Sequence, residues 1–410
     1  MAVNFPSQCE VFPVPGARIG TANANIKGTE VNPGRDDLAV IFLAAGSKVA
    51  GLFTRNGFRA APVLLAEQHL SRADIRALLI NSGNANAATG EPGIEDARKC
   101  CEELAAQLGL EAAQVIPFST GVIGVRLPLD RILQGIKKAA GHLSENDWLC
   151  AAKAIMTTDT EPKCVSRKVE IDGHSIVLTG MAKGSGMIRP DMATMLAYIA
   201  TNIEIAEDLL SGLLERAANA SFNRITVDGD TSTNDSMILV STATSSAPAI
   251  VSEGCAAYTS FLNALVEVSR ELSQMIIRDA EGATKFVTVT VSQGGSSDEC
   301  LKVAYALAES PLVKTALFAG DPNWGRFCMA IGKAGLRNFD TSTVNLYLDD
   351  VCVAKNGLMN QNYREEMGAR VMRQSEFTLH VTLGRGESRE TIWTSDLSYD
   401  YVKINAEYRT

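Results

Sequence analysis

The chain has 410 residues with 46% hydrophobic and 21% charged side chains, enough length for two or three domains and for a large core that needs no staples. Its net charge of −9, with no block of like charges, argues against a nucleic-acid or membrane-surface partner, either of which calls for a basic patch. No apolar run approaches the 18 or more residues of a membrane-spanning helix, and Met1 to Glu10 lacks the basic and apolar regions of a secretory signal, so a soluble cytoplasmic enzyme is expected.

Helical and strand patterns alternate along the chain. Asp37 to Ala44 and Leu78 to Asn81 read as buried strands, and Ile94 to Leu108 has helical spacing. Leu129 to Leu143 and Glu145 to Met156 read as two more helices. Arg167 to Thr179 predicts a hairpin that turns at Asp172-Gly173, a favoured two-residue loop. Ala206 to Ala218, the long amphipathic Cys255 to Arg278, and Cys300 to Phe318 are predicted helices. Val344 to Leu348, Glu376 to Val381 and Thr391 to Thr394 are predicted strands. The fold class is therefore α/β or α+β, with layered helices and mixed sheets rather than a simple βαβ array.

Nine cysteines are scattered without a CxxC pair, which suggests buried free thiols in a reducing compartment rather than a zinc or redox site. None of the four histidines, His69, His142, His174 and His380, falls in a metalloprotease or nucleophile motif, and a Ser-His-Asp hydrolase would need one.

Five polar, glycine-rich islands interrupt this background: Asn81 to Ala87, Ser119 to Gly124, Lys183 to Met187, Asp228 to Asp235 and Gly320 to Arg326. Each reads as a turn or as part of a site, because sites are commonly built on such loops. Lys183-Gly-Ser-Gly lacks the P-loop spacing, and Arg189 occupies the place of the third glycine of a dinucleotide fingerprint. Asp228, Asp230 and Ser232 begin like a calcium loop, but Thr233 and Leu239 stand where glycine and glutamate are required. A looser oxygen-ligand cation site remains open at that point.

Nucleophilic catalysis is the third reading. Thr194 lies between the flexible Lys183-Gly-Ser-Gly stretch and the apolar run Met195 to Ala200, with Ala193 leaving the preceding carbonyl unhindered. A threonine hydroxyl is a weak nucleophile unless a base stands beside it. Were Thr194 to become an N-terminus, its own α-amine, with a pKa of about 7.7–8, would be that base. A threonine at the start of a strand is equally ordinary, and spacing alone does not choose.

The segment Lys183-Gly-Ser-Gly-Met-Ile-Arg-Pro-Asp-Met-Ala-Thr-Met-Leu196 resembles the signature of the ornithine acetyltransferase family, the bifunctional glutamate N-acetyltransferases of arginine biosynthesis. The likeness continues in order through Gly51 to Asn56, Ala60 to Val63, Asn81 to Asn86, Ser119 to Gly124, Thr157 to Thr160, Asp228 to Asp235, Gly320 to Arg326 and the terminal Asn405 to Thr410. One departure is Asp191, where the family often has asparagine. The resemblance implies an N-terminal-threonine acetyltransferase architecture and self-cleavage between Ala193 and Thr194, giving an α chain, 1–193, and a β chain, 194–410. It implies Thr194 as nucleophile, Thr120 and Gly121 as oxyanion hole, and Thr157, Lys183, Thr194, Glu281, Asn405 and Thr410 as substrate contacts. The implied substrates are N-acetylornithine and glutamate. The implied assembly is a dimer of αβ units. No cofactor is implied, and whether acetyl-CoA also serves as donor is left open. Lys183 would pair with a substrate α-carboxylate and Glu281 would oppose the ornithine ammonium. Two alternatives stand beside this reading: an amidohydrolase or aminopeptidase with the same nucleophile and water as acceptor, and a non-catalytic ligand-binding relative. The latter would be expected to lack Thr194 or Thr120.

Overall fold

The computed structural model describes residues 2–7, 10–28, 34–189 and 195–407. Ala193, Thr194 and Thr410 therefore lie outside the described residues.

Two sheets stack face to face between two layers of helices. The first sheet carries Ala17–Ala22, Leu38–Leu43, Ala77–Asn84 and Val115–Val122 in that spatial order. The second runs Lys48–Phe53, Ser236–Ser241, Leu196–Thr201, His174–Lys183 and Lys163–Ile171. Ile41, Ile80 and Phe118 of the first sheet meet Tyr198 and Ile238 of the second in one core, together with Trp148. The Phe118 and Tyr198 rings meet edge to face, their centroids 5.1 Å apart. The helices Gly90–Leu108 and Leu129–Ala140 cover the outer face of the first sheet through Leu104, Ile132 and Ile136. The helices Glu207–Ala220 and Ala256–Arg278 cover the second through Leu213, Phe261, Val268 and Leu272.

Leu196–Thr201 shows why the sequence reads as it does. Leu196, Tyr198 and Ala200 enter the core between the sheets, while Ala197 and Ile199 enter the core beneath the helices. Side chains of a strand alternate in direction, so a strand buried on both faces becomes an unbroken apolar run. This strand pairs in parallel with Ser236–Ser241 and antiparallel with His174–Lys183. The second sheet thus interleaves strands from before and after the Ala193–Thr194 junction.

A third sheet of seven strands, built only from residues beyond Thr194, holds Phe286–Gly294 between Glu376–Thr382 and Ser388–Ser395. Its own core is closed by the helices Ser297–Ala308, Pro311–Ala319 and Trp324–Gly332.

The predicted hairpin forms as Lys163–Ile171 and His174–Lys183, with Ile171 opposite His174 and left-handed φ at both Asp172 (51°) and Gly173 (78°). These are the backbone angles that match the twist of two antiparallel strands. One helix needs correction. Cys300 to Phe318 is two helices, Ser297–Ala308 and Pro311–Ala319. Pro311 has no N–H to continue the first, and Ser310 before it is extended (ψ 116°), as the residue ahead of a proline tends to be. Glu145 to Met156 shortens to Trp148–Ala154. Among the described residues no helix is long and apolar enough to cross a membrane. All eight described cysteines are free; Cys100, Cys101, Cys164 and Cys300 are buried, as the composition suggests, whereas Cys150 is exposed.

Candidate active site

Four of the five islands converge on one cavity of about 250 Å³ at the end of the second sheet. Ala85 comes from the first island, and Thr120, Gly121 and Ile123 from the second. Lys183, Gly184, Gly186 and Met187 come from the third, and Ser232 to Asp235 from the fourth. Thr157, Glu281 and Asn405 complete the wall, so every predicted site residue within the described chain lines this cavity. Met195, the covalent neighbour of Thr194, lines it too. The fifth island lies elsewhere: Gly320 caps the helix Pro311–Ala319 in a left-handed conformation, and Trp324 begins the next helix. There the composition marks a turn.

Thr120 and Gly121 stand near the end of Val115–Val122, where that strand bulges against Gly83 and Asn84. Gly121 has φ +131°, and a Cβ there would fall 2.3 Å from the Gly83 carbonyl carbon. Only glycine lets the two backbones pass so closely. Asn234 ties this corner together, its amide donating to the carbonyl oxygens of Ala85 (2.6 Å) and Ser119 (2.9 Å). The asparagines of the first island are likewise scaffold: Asn84 donates to the Val125 and Arg126 carbonyls, and Asn86 is wholly buried.

Lys183 ends its strand with Nζ donating to Thr120 Oγ1 at 3.1 Å. Burial lowers its pKa; the carboxylates of Asp159, Asp235 and Glu281 act against that shift, and the Lys163 charge reinforces it. Beneath it lies a buried charge cluster that spacing alone does not suggest. Lys163 Nζ, with no solvent exposure, donates to Asp159 (2.7 Å) and Asp279 (2.6 Å). Asp159 also accepts from the backbone N–H groups of Thr157 (3.0 Å) and Gly184 (2.8 Å). Asp279 accepts from those of Thr160 (2.9 Å) and Glu161 (3.2 Å), and from the Thr160 hydroxyl. The cluster thereby holds the Thr157 loop and the glycine segment in fixed relation. Burial pushes the Asp159 carboxyl up, but Lys163, Lys183 and its hydrogen bonds outweigh that and leave it below the usual carboxylate range. Asp159 lies in the Thr157 to Thr160 motif; nothing in the sequence marks Lys163 as its partner.

Glu281 follows the long helix Ala256–Arg278 and is 8% exposed. Its Oε2 accepts from Asn405 Nδ2 at 2.7 Å. Gly186 makes room for it: a Cβ at that position would sit 2.5 Å from the Glu281 carboxylate. The C-terminal helix Tyr399–Ala406 is docked as well. Ser398 caps it and donates to the Gly282 carbonyl (2.6 Å), and the Tyr401 hydroxyl reaches Asp228 at 3.2 Å. Asp228 in turn accepts from the backbone N–H groups of Met187 (2.6 Å) and Ile188 (2.9 Å), so one carboxylate pins both the tail and the segment leading to the Ala193–Thr194 junction.

None of the histidines lines the cavity. His69 is buried with Nδ1 2.6 Å from the Val115 carbonyl, and His380 bonds to Ser292 at 2.8 Å. Among the described residues no three His, Cys, Asp or Glu side chains are grouped as a metal ion would require.

The family model described as the ArgJ family matches residues 18–410. A protein of Pseudomonas syringae pv. tomato, named arginine biosynthesis bifunctional protein ArgJ, is 50% identical over 410 residues, the full length of both chains. A solved structure of arginine biosynthesis bifunctional protein ArgJ from Bacillus halodurans is 34% identical with a TM-score of 0.50, covering 52% of this chain and all of its own. A solved ornithine acetyltransferase of Mycobacterium tuberculosis, complexed with ornithine, is 36% identical over 44% of this chain and 94% of its own, with a TM-score of 0.38. Matched by the family model over nearly its whole length and by a full-length relative at half identity, the chain belongs to the ArgJ family.

Proposed function

We propose that the cavity carries out acetyl transfer in arginine biosynthesis, moving acetyl from N-acetylornithine to glutamate through an ester on Thr194, after self-cleavage between Ala193 and Thr194. The observation that carries the proposal is convergence. Thr120, Gly121, Thr157, Lys183, Glu281 and Asn405 share one small cavity with Met195, the residue bonded to Thr194. Cleavage gives Thr194 a free α-amine to act as base. Its Oγ1 attacks the acetyl carbonyl, the amide C–N bond breaks, and the proton from the hydroxyl leaves with the ornithine amine. Glutamate reverses the sequence: its amine takes the acetyl group and the proton returns to Oγ1. Negative charge develops on the acetyl oxygen in both steps, where the Gly121 N–H and the Thr120 hydroxyl are the proposed donors.

The charges of the wall suit this chemistry. Both substrates carry an α-carboxylate, for which Lys183 is the cation, and the ornithine ammonium has Glu281 as counter-charge. Thr157 and Thr410 are the remaining proposed substrate contacts. Cleavage would not separate the halves, because the two strands of the second sheet that follow the junction lie between strands that precede it. We take the unit to be a dimer of αβ pairs working in the cytoplasm without a resident cofactor. The free state of all eight described cysteines suits that compartment. Acetyl-CoA enters the reading as a second acetyl donor to glutamate, in keeping with relatives named bifunctional.

Incubation of the purified protein with N-acetylornithine and glutamate tests the proposal. N-Acetylglutamate should form, the protein should run as two fragments of about half the chain each, and the second should begin at Thr194. Thr194→Ala should give one uncut, inactive chain. An intact wild-type chain with full activity would refute the mechanism, and release of free acetate in place of N-acetylglutamate would make water the acceptor. Replacing N-acetylornithine by acetyl-CoA tests the second donor.

A further inference from the structure

Glu281 lines the cavity, but the groups that hold it in place reach beyond the cavity wall. Asn405 Nδ2 donates both to Glu281 Oε2 at 2.7 Å and to the Tyr401 carbonyl, one helical turn back, at 3.0 Å. The Tyr401 hydroxyl in turn reaches Asp228 Oδ2 at 3.2 Å. Burial, Asp228 and Glu281 push that hydroxyl above its ordinary range, so it stays protonated and able to donate. A Cβ at Gly282 would fall 2.5 Å from the Tyr401 nitrogen, so the tail helix packs against the residue after Glu281 as closely as glycine permits.

The same Asp228 carboxylate acts on the other side of Glu281. Gly186, where a Cβ would sit 2.5 Å from the Glu281 carboxylate, is followed by Met187 and Ile188, whose N–H groups donate to Asp228 at 2.6 and 2.9 Å. Met187 has φ +56°, a left-handed backbone that a side chain seldom adopts, and its bond to Asp228 offsets that strain. The Glu281 N–H donates to the Ser185 carbonyl at 2.9 Å, which ties the glutamate to the same segment. Asp228 thus fixes both walls between which the Glu281 side chain lies, although neither Asp228 nor Tyr401 lines the cavity. Asn405 takes one acceptor position of a carboxylate that offers about four, which leaves Glu281 able to accept from a ligand ammonium as well. A long carboxylate side chain held in advance loses less rotamer freedom when that ammonium arrives.

We propose that Asp228 and Tyr401 are positioning residues that hold Glu281 in the orientation that receives the side-chain ammonium of N-acetylornithine. This rests on the reading of Glu281 as the counter-charge to that ammonium. Glu281→Gln tests that reading first: KM for N-acetylornithine should rise on the order of 10²-fold, and an unchanged KM would remove Glu281 from the amine pocket whatever Tyr401 does. Tyr401→Phe removes only the hydroxyl that meets Asp228. It should raise KM about tenfold with kcat unchanged within about twofold. In the Glu281→Gln background Tyr401→Phe should add less than about a further twofold, because no carboxylate is left to position, whereas a general loosening of the fold would multiply the two effects. Asp228→Asn should raise KM at least as much as Tyr401→Phe, and Met187→Gly, which accepts left-handed backbone without strain, should recover part of that loss. An unchanged KM in folded Tyr401→Phe or Asp228→Asn, a loss confined to kcat, or effects that multiply in the double variant would each overturn the proposal. If Asp228→Asn does not fold, the cycle between Tyr401→Phe and Glu281→Gln decides.

Discussion

Lys163→Met should loosen the floor of the active site and make the protein most unstable near neutral pH. Methionine fills a similar volume but leaves Asp159 and Asp279 facing each other without the ammonium that both now contact, at 2.7 and 2.6 Å and with no solvent exposure at Nζ. Removing one partner of a buried ion pair costs about 3–5 kcal/mol. At roughly 2.1 cal/mol/K per residue, a 410-residue chain has an unfolding entropy of about 0.9 kcal/mol/K, so the expected loss is about 4–6 °C in Tm.

The pH dependence separates this cause from simple mispacking. In the wild type the Asp159 carboxyl is held below its unfolded pKa despite burial, chiefly by Lys163 and Lys183. Its stabilisation is therefore full above about pH 4 and lost only as the pH falls through the lower folded value. In Lys163→Met burial prevails and raises the carboxyl pKa, so the folded state binds protons more readily than the unfolded chain. The deficit relative to wild type should then shrink as the pH is lowered from 7 towards 4. Melting curves across that range, read by circular dichroism or calorimetry, provide the measurement. A Tm equal to wild type at pH 7, or a deficit that does not change with pH, would refute the reasoning. Replacing Lys163, Asp159 and Asp279 together with neutral side chains of similar size should recover much of the Tm.

Two further outcomes follow from the same geometry. Thr120→Ala should lower kcat on the order of 10²–10³-fold with little change in KM, because it removes one donor to the developing oxyanion; unchanged kcat in folded protein would show that the assignment is wrong. Deleting Ala406 to Thr410 should spare self-cleavage and weaken transfer sharply, with a larger share of acetyl lost to water. The tail's anchors, Ser398 on Gly282 and Tyr401 on Asp228, lie upstream of the cut and would keep the helix docked. Normal transfer by the truncated protein would remove the tail from the site.

The family and its reaction were legible in the sequence, because the motif string from Gly51 to Thr410 keeps its order over most of the chain. Elements whose patterns are local were legible as well. Alternation meeting at Asp172-Gly173 gives the hairpin, and the amphipathic spacing of Ala256–Arg278 gives the long helix. Cys300 to Phe318 misled because its apolar periodicity runs through Pro311, and periodicity outvoted the one residue that breaks the hydrogen-bond ladder.

By itself the sequence determined the order of its motifs, and through the resemblance they carry it put forward the candidate residues: a threonine behind a glycine segment, a glycine after Thr120, and a lysine and a glutamate to meet a zwitterionic substrate. Only the tertiary structure decided which islands share a cavity, because convergence comes from two sheets stacking and leaves no trace in spacing. It set Gly320 to Arg326 apart as a turn and brought Asn405 to Glu281 across a sequence separation of 124. It also joined Lys163 to Asp159 and Asp279. Charges buried together must find one another in space to offset their desolvation, and the distance along the chain at which they do so is settled by packing, not by pattern.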